Sequence, residues 1–174
     1  MSKATIRRAD ADDQEDVLNL WLTLMDEQAA LEPRLDVAED AAERWRNDFP
    51  EWIRDETRRL FVAERTGEIV GFLSAERYTP PPVYTTPGEV YINELYVQQG
   101  ARRQGLGQRL AEAVTAWADS LEAERLRLGV LTVNETGRAF WQDLGAKPLS
   151  ETLTITLGAS SDRGASEAGG NIGF

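Results

Sequence analysis

One stretch limits what this chain can fold into more than any other. From Tyr91 to Gly107 it reads Tyr-Ile-Asn-Glu-Leu-Tyr-Val-Gln-Gln-Gly-Ala-Arg-Arg-Gln-Gly-Leu-Gly, and the apolar period changes inside it. Residues 89–97 read as a strand. From Gly105 to Leu121 the period is helical, with Leu106, Leu110, Ala113, Val114, Trp117 and Leu121 on one face. A further strand reads over 126–133. A strand, a turn and a long helix followed by a second strand predict a crossover with parallel strands.

The turn also has a chemical character. The first turn of a helix carries free N–H groups and a partial positive charge. Gly105 and Gly107 let an anion approach the backbone with no β-carbon in the way. Arg102, Arg103 and Arg109 oppose only Glu94 between residues 90 and 109, in a chain whose net charge is −11. The pattern is neither a P-loop, since no Gly-Lys-Ser/Thr follows, nor the dinucleotide fingerprint, since Leu110 stands where its third glycine belongs.

The remaining elements fall on either side of this unit. Thr5 to Ala9 reads as a strand. Asp12 and Glu15 have capping-box spacing, and Val17, Leu18, Trp21, Leu24 and Met25 follow at helical intervals. Ala38, Ala41, Ala42, Trp45 and Phe49 mark a second amphipathic helix that Pro50 should stop. Arg59–Arg65 and Ile69–Tyr78 read as an antiparallel pair about Thr66-Gly67-Glu68, and a proline-rich loop runs from Pro80 to Gly88. Thr136–Leu144 reads as a short helix and Leu149–Leu157 as a last strand. The order β-α-α-β-β-β-α-β-α-β gives an α/β domain with a mixed sheet over residues 1–157. The Gly/Ala/Ser-rich tail, 158–174, reads as a flexible terminus.

Composition narrows the chemistry. With no cysteine and no histidine, the chain has no thiol nucleophile, no Ser-His-Asp triad and no imidazole or thiolate metal site, and no metal is expected. A general base must be a carboxylate, lysine, tyrosine, terminal amine or water, and Lys3 and Lys147 are the only lysines. The acidity argues against nucleic acid and anionic membrane as partners and suits a cationic substrate. No apolar run reaches the roughly 18 residues of a membrane span, and Met1–Thr5 lacks the apolar core of a signal sequence. The expected location is cytoplasmic.

Arg102-Arg103-Gln104-Gly105-Leu106-Gly107, after a strand ending at Val97, resembles the Arg/Gln-x-x-Gly-x-Gly/Ala motif of the GNAT family of N-acetyltransferases. Leu128–Leu144 followed by Gly145-Ala146 resembles that family's second signature: a strand, an asparagine and a short helix. The two motifs stand in the family's order, and the element order from 5 to 157 matches it. The resemblance implies a GNAT-like, mostly antiparallel sheet flanked by helices, with acetyl-CoA as co-substrate. It places the pyrophosphate on the backbone around Arg103, Gln104, Gly105, Leu106 and Gly107, with Arg102 and Arg103 adding charge. It places pantetheine along the strand at Leu95 and Val97, with Asn134 touching the cofactor arm. The strands at 89–97 and 126–133 would splay to admit the thioester.

Acetyl transfer to an amine needs a base, a donor to the oxyanion and, for the departing thiolate, an acid. The base candidate is Glu94, with Glu89 and Glu135 as alternatives. A backbone amide near Tyr96 or Val97 would meet the oxyanion. Where many members of that family carry a tyrosine acid, this chain has Trp141, which cannot usefully give up a proton and whose expected role is packing on pantetheine. The acid is then Tyr96, Tyr91 or Tyr84, or the thiolate leaves unassisted. Asp26, Glu27, Glu32 and Asp36, near the break between the first two helices, are candidates to attract a cationic amine. The expected function is N-acetylation of a small-molecule or peptide amine by direct attack in a ternary complex. The alternative is a non-catalytic acyl-CoA-binding regulatory module. The last strand and tail also offer an edge to a second copy, which leaves a homodimer open.

Overall fold

The computed structural model describes residues 4–85 and 88–157; the tail, 158–174, lies outside the described residues. Five strands form one sheet in the order β1-β2-β3-β4-β5: Thr5–Arg8, Arg58–Arg65, Glu68–Tyr78, Glu89–Val97 and Arg125–Leu128. The first four pair antiparallel with one another. β5 runs parallel to β4. Four α-helices accompany them: α1 (Gln14–Leu31), α2 (Ala41–Trp52), α3 (Leu106–Ser120) and α4 (Glu135–Asp143).

The sheet has an apolar layer on each face. On one, Leu106, Leu110, Val114, Trp117 and Ala118 of α3 pack with Ala63, Leu73, Ala75, Val90 and Ile92. On the other, Val17, Leu18 and Leu20 of α1 and Trp45 and Phe49 of α2 pack with Val62, Phe72 and Tyr96. The period-3.6 stripes therefore each find a face of the sheet, and burying each such side chain stabilises the fold by about 1.5–3 kcal/mol.

Several local expectations shift. The capping box lies two residues early, where Asp10 and Asp13 exchange hydrogen bonds around a 3-10 turn, Ala11–Asp13. Pro50 does not stop α2, which continues to Trp52. Proline cannot donate to the carbonyl one turn back. Here the side chain of Gln14 donates to that carbonyl, Arg46 O, at 2.7 Å. The strand expected over 126–133 ends at Leu128, and the strand expected at Leu149–Leu157 is not formed. Its alternating apolar residues stand in water, Leu153 at 81% and Ile155 at 87% exposure. Alternation confers a strand tendency, but a strand also needs an edge to pair with, and β5 next to it is four residues long.

Two irregularities position the site. β4 and β5 pair from Glu89↔Arg125 to Ile92↔Leu128 and no further, so β4 runs on to Val97 without a neighbour on that side. On its other side, Ser74 faces Glu94 but Ala75 faces Ile92, which leaves Asn93 as an extra residue. Such a bulge reverses the alternation of side chains. Ile92 accordingly packs with the α3 layer, while Tyr96 packs with the α1/α2 layer and Glu94 faces the α1/α2 side as well.

Candidate active site

The gap beside β4 opens into a cleft of about 1430 Å³. Its walls come from the C-terminal half of α1, β4, the turn into α3, the residues after β5, and α4. Of the residues expected at the site, Glu94, Leu95, Tyr96, Val97, Arg102, Arg103, Gly105, Leu106, Gly107, Asn134 and Trp141 all line it. Gln104 does not: its side chain accepts from Arg65 at 2.9 Å and donates to Gly100 O at 3.3 Å. Phe140, missed in the sequence, lines the cleft edge-on to Trp141, with ring centroids 4.9 Å apart.

The turn fits an anion. Gly105 caps α3 at φ 75°, a conformation that glycine adopts without strain. No side chain caps the helix, so its first amides keep their hydrogen-bonding capacity, and space above Gly105 is open. Arg103 forms no ion pair among the described residues, whereas Arg102 is engaged. Arg102 donates twice to Glu27 on α1 at 2.8 Å and once to Val97 O at 2.8 Å, and stacks over Tyr96 at 5.3 Å. Asn134 is also occupied, its side-chain oxygen accepting from Gly137 N at 2.8 Å to cap α4.

Strand geometry sorts the backbone donors. Gln98 N donates to Val70 O across to β3 at 2.9 Å. Amides alternate sides along a strand, so Tyr96 also faces β3, and Leu95 and Val97 present their amides to the cleft. Of the two positions considered for the oxyanion donor, Val97 has the right direction.

Glu94 stands where the cleft meets a second pocket, and Asn93 lines both as well. Ser74 Oγ donates to Glu94 Oε2. Burial pushes the Glu94 carboxyl above its ordinary range, and hydrogen bonds from Ser74 and Trp21 only partly oppose this. Tyr96 donates to Glu27 at 3.0 Å, and burial together with that carboxylate pushes its hydroxyl up, so it keeps its proton at neutral pH. Glu89, an alternative base, is 1% exposed and held by Arg125 at 2.8 Å and Arg127 at 2.9 Å, away from the cleft. Glu135 lines the cleft from the start of α4.

The second pocket, about 250 Å³, is lined by Trp21, Trp45 and Trp52 with Phe72, Ser74 and Glu94 among others. The sequence placed Trp21 and Trp45 on the apolar faces of helices, which they are. That these faces look onto Glu94 depends on the bulge at Asn93. Three of the chain's five tryptophans in two adjacent helices was the signal available. Asp26, Glu27, Glu32 and Asp36 do not line this pocket; Glu27 lines the main cleft instead, paired with Arg102, and Glu32 is paired with Arg34.

The sheet thus holds one parallel pair that parts after Ile92 and Leu128, with a glycine turn at the gap. Residues 21–146 match the acetyltransferase (GNAT) family pattern. Uncharacterized N-acetyltransferases of Mycobacterium bovis and Mycobacterium tuberculosis are 30% identical over 111 residues, 64% of this chain and 66% of theirs. The matched region therefore spans about two thirds of the length of those relatives. A 5-NmdU N-acetyltransferase of Pseudomonas phage PaMx11 is 34% identical over 94 residues, 54% of this chain and 61% of that one. In fold, the chain resembles the aminoglycoside N-acetyltransferase AAC(6')-Iy in complex with CoA, with a TM-score of 0.72 at 17% identity over 91% of this chain and 97% of that one. The chain belongs to the acetyltransferase (GNAT) family.

Proposed function

We propose that this protein moves an acetyl group from acetyl-CoA to a primary amine while both are bound. The observation that carries the reading is a single cleft running from the uncapped amides of α3 to Glu94 along the unpaired edge of β4. Acetyl-CoA supplies the activated acyl group as a thioester. The amides from Arg103 to Gly107 receive its pyrophosphate, helped by the charge of Arg103. Leu95 and Val97 offer the free edge of β4 to the pantetheine arm, with Phe140, Trp141 and Asn134 on the opposite wall. Arg102 acts mainly as a tie between the turn and α1.

Glu94 takes the proton from the ammonium. Its raised pKa brings it closer to neutrality, where a general base is most effective. The Val97 amide meets charge developing on the acyl oxygen. Tyr96 lines the cleft with its proton in place and is the acid for the leaving sulfur. Thermal-shift titration with acetyl-CoA, desulfo-CoA and ATP tests the first half: both CoA compounds should stabilise the fold and ATP should not. Release of free CoA thiol over a panel of amines tests the second. The Tyr96–Glu27 hydrogen bond and Trp141 favour the non-catalytic acyl-CoA module as the second reading; stabilisation by acetyl-CoA with no thiol release from any amine would select it. The exposed row Leu149, Leu153, Ile155 and Leu157 further supports a homodimer, for which light scattering of the full chain should give twice the 19.4 kDa chain mass.

A further inference from the structure

We infer that the acceptor is a small primary amine with one positive charge and a flat apolar body, of the arylalkylamine class. The inference rests on the acetyl-transfer reading above and concerns the pocket on the α1/α2 side of Glu94. At about 250 Å³ the pocket lies near the small end of ligand pockets, a size suited to one ring with a short side chain. Three indoles and Phe72 are its aromatic walls. Trp21 and Trp45 lie 6.3 Å apart at 36°, and Trp52 stands edge-on to Trp45 at 5.6 Å. Tilted and edge-on indoles pack against a planar ring and attract an ammonium beside them.

Charge fixes the number of amines. The pocket lining contains two carboxylates, Glu94 and Glu76, and two arginines, Arg58 and Arg59; the Arg59 guanidinium turns to the other face of the sheet, donating to Arg58 O at 2.6 Å and standing 5.1 Å over the Trp117 ring. Glu76 is already paired with Arg58 at 3.1 Å, and Arg58 lies 5.9 Å from the Trp52 ring centroid. Glu94 forms no ion pair among the described residues; its neighbours are the Ser74 hydroxyl and the Trp21 indole. One ammonium therefore has a carboxylate waiting, in the position from which that carboxylate can take its proton. A second ammonium would meet Arg58.

The test uses the full chain with 2-phenylethylamine, the diamine cadaverine, spermidine and kanamycin, read by CoA-thiol release and by tryptophan fluorescence in the presence of CoA. 2-Phenylethylamine should have the highest kcat/KM and should quench the fluorescence. Trp52→Ala should lower its kcat/KM about tenfold, mainly through KM, with the KM for acetyl-CoA unchanged, and Trp52→Phe should restore most of it. Arg58→Gln frees Glu76 and should raise kcat/KM for cadaverine at least fivefold, a gain that a damaged fold cannot produce. Thiol release with spermidine or kanamycin but not 2-phenylethylamine would support the transferase reading and overturn the pocket's assignment, as would an unchanged cadaverine rate in Arg58→Gln. Quenching by 2-phenylethylamine without thiol release would overturn the transferase reading and leave the pocket's ligand supported.

Discussion

Replacing Glu94 by glutamine should separate catalysis from stability in opposite directions. The substitution keeps the shape and one acceptor oxygen for the Trp21 indole, its amide N–H can donate to the Ser74 hydroxyl, and it removes the charge and the base. A positioned general base contributes about 10²–10⁴-fold, equivalent to about 2.7–5.5 kcal/mol of barrier. A loss of kcat in that range is expected, with the KM for acetyl-CoA within about twofold. In the native enzyme kcat/KM should rise with pH through a point above the ordinary carboxylate value of 4.5, and Glu94→Gln should abolish that limb.

Stability should respond the other way. Glu94 holds its proton to higher pH when folded than when unfolded, so the folded chain binds more protons between those two values. Stability therefore falls as pH rises from 4.5 to the raised value, and above it the ionised carboxylate costs the fold. Each tenfold displacement of that proton equilibrium is about 1.4 kcal/mol, and 1 kcal/mol moves the Tm of a domain this size by about 2–4 °C. Glu94→Gln should melt a few degrees above the native chain at pH 7.5 and show no gain at pH 4. Differential scanning calorimetry at both values, beside thiol-release kinetics, is the assay. A variant that keeps native kcat, or melts lower at pH 7.5, would refute the placement of a poorly solvated carboxylate at the reacting centre.

Tyr96→Phe should lower kcat about 10–100-fold and remove any basic limb of the pH profile while leaving the KM for acetyl-CoA within twofold; an unchanged kcat would show that the thiolate leaves unassisted. Gly71→Ala should cost about 1–3 kcal/mol in denaturant unfolding, because a β-carbon there would lie 2.9 Å from Tyr96 O, a backbone atom that cannot swing away. Arg7→Ala should destabilise by about 1.5–3 kcal/mol, since Arg7 donates twice to Asp13 at 2.7 Å and once to Glu64 at 2.7 Å. Burial alone would raise the Asp13 carboxyl, but the Arg7 and Asp10 hydrogen bonds outweigh it and hold it below 3.8. That stability is present above 3.8 and lost as pH falls through the lower folded value, so acid unfolding should begin at higher pH in the variant.

Much of the frame could be read from residue order because it depends on local periodicity. The α3 stripe, the antiparallel pair around Thr66-Gly67 and the glycine turn at 105–107 are set by neighbours a few residues apart. The absence of histidine and cysteine likewise settled in advance that any base would be a carboxylate or one of a few other groups. Local pattern misled where a partner from elsewhere intervened. Gln14, 32 residues away from Arg46, keeps α2 intact through Pro50. Glu89, an alternative base by sequence, is held by Arg125 and Arg127. Leu149–Leu157 alternates as a strand does, yet the strand expected there is not formed, because no strand among the described residues stands beside it to pair with.

By itself, then, the sequence determined the α/β order from β1 to α4, the glycine turn at 105–107 and a short set of carboxylates that includes Glu94. The tertiary structure alone decided which way that carboxylate faces. One extra residue at Asn93 changes the phase of β4 and turns Glu94 toward three tryptophans on two other helices. A phase change of this kind is a property of pairing between strands, and pairing partners far apart in the chain leave no mark in the local period of either.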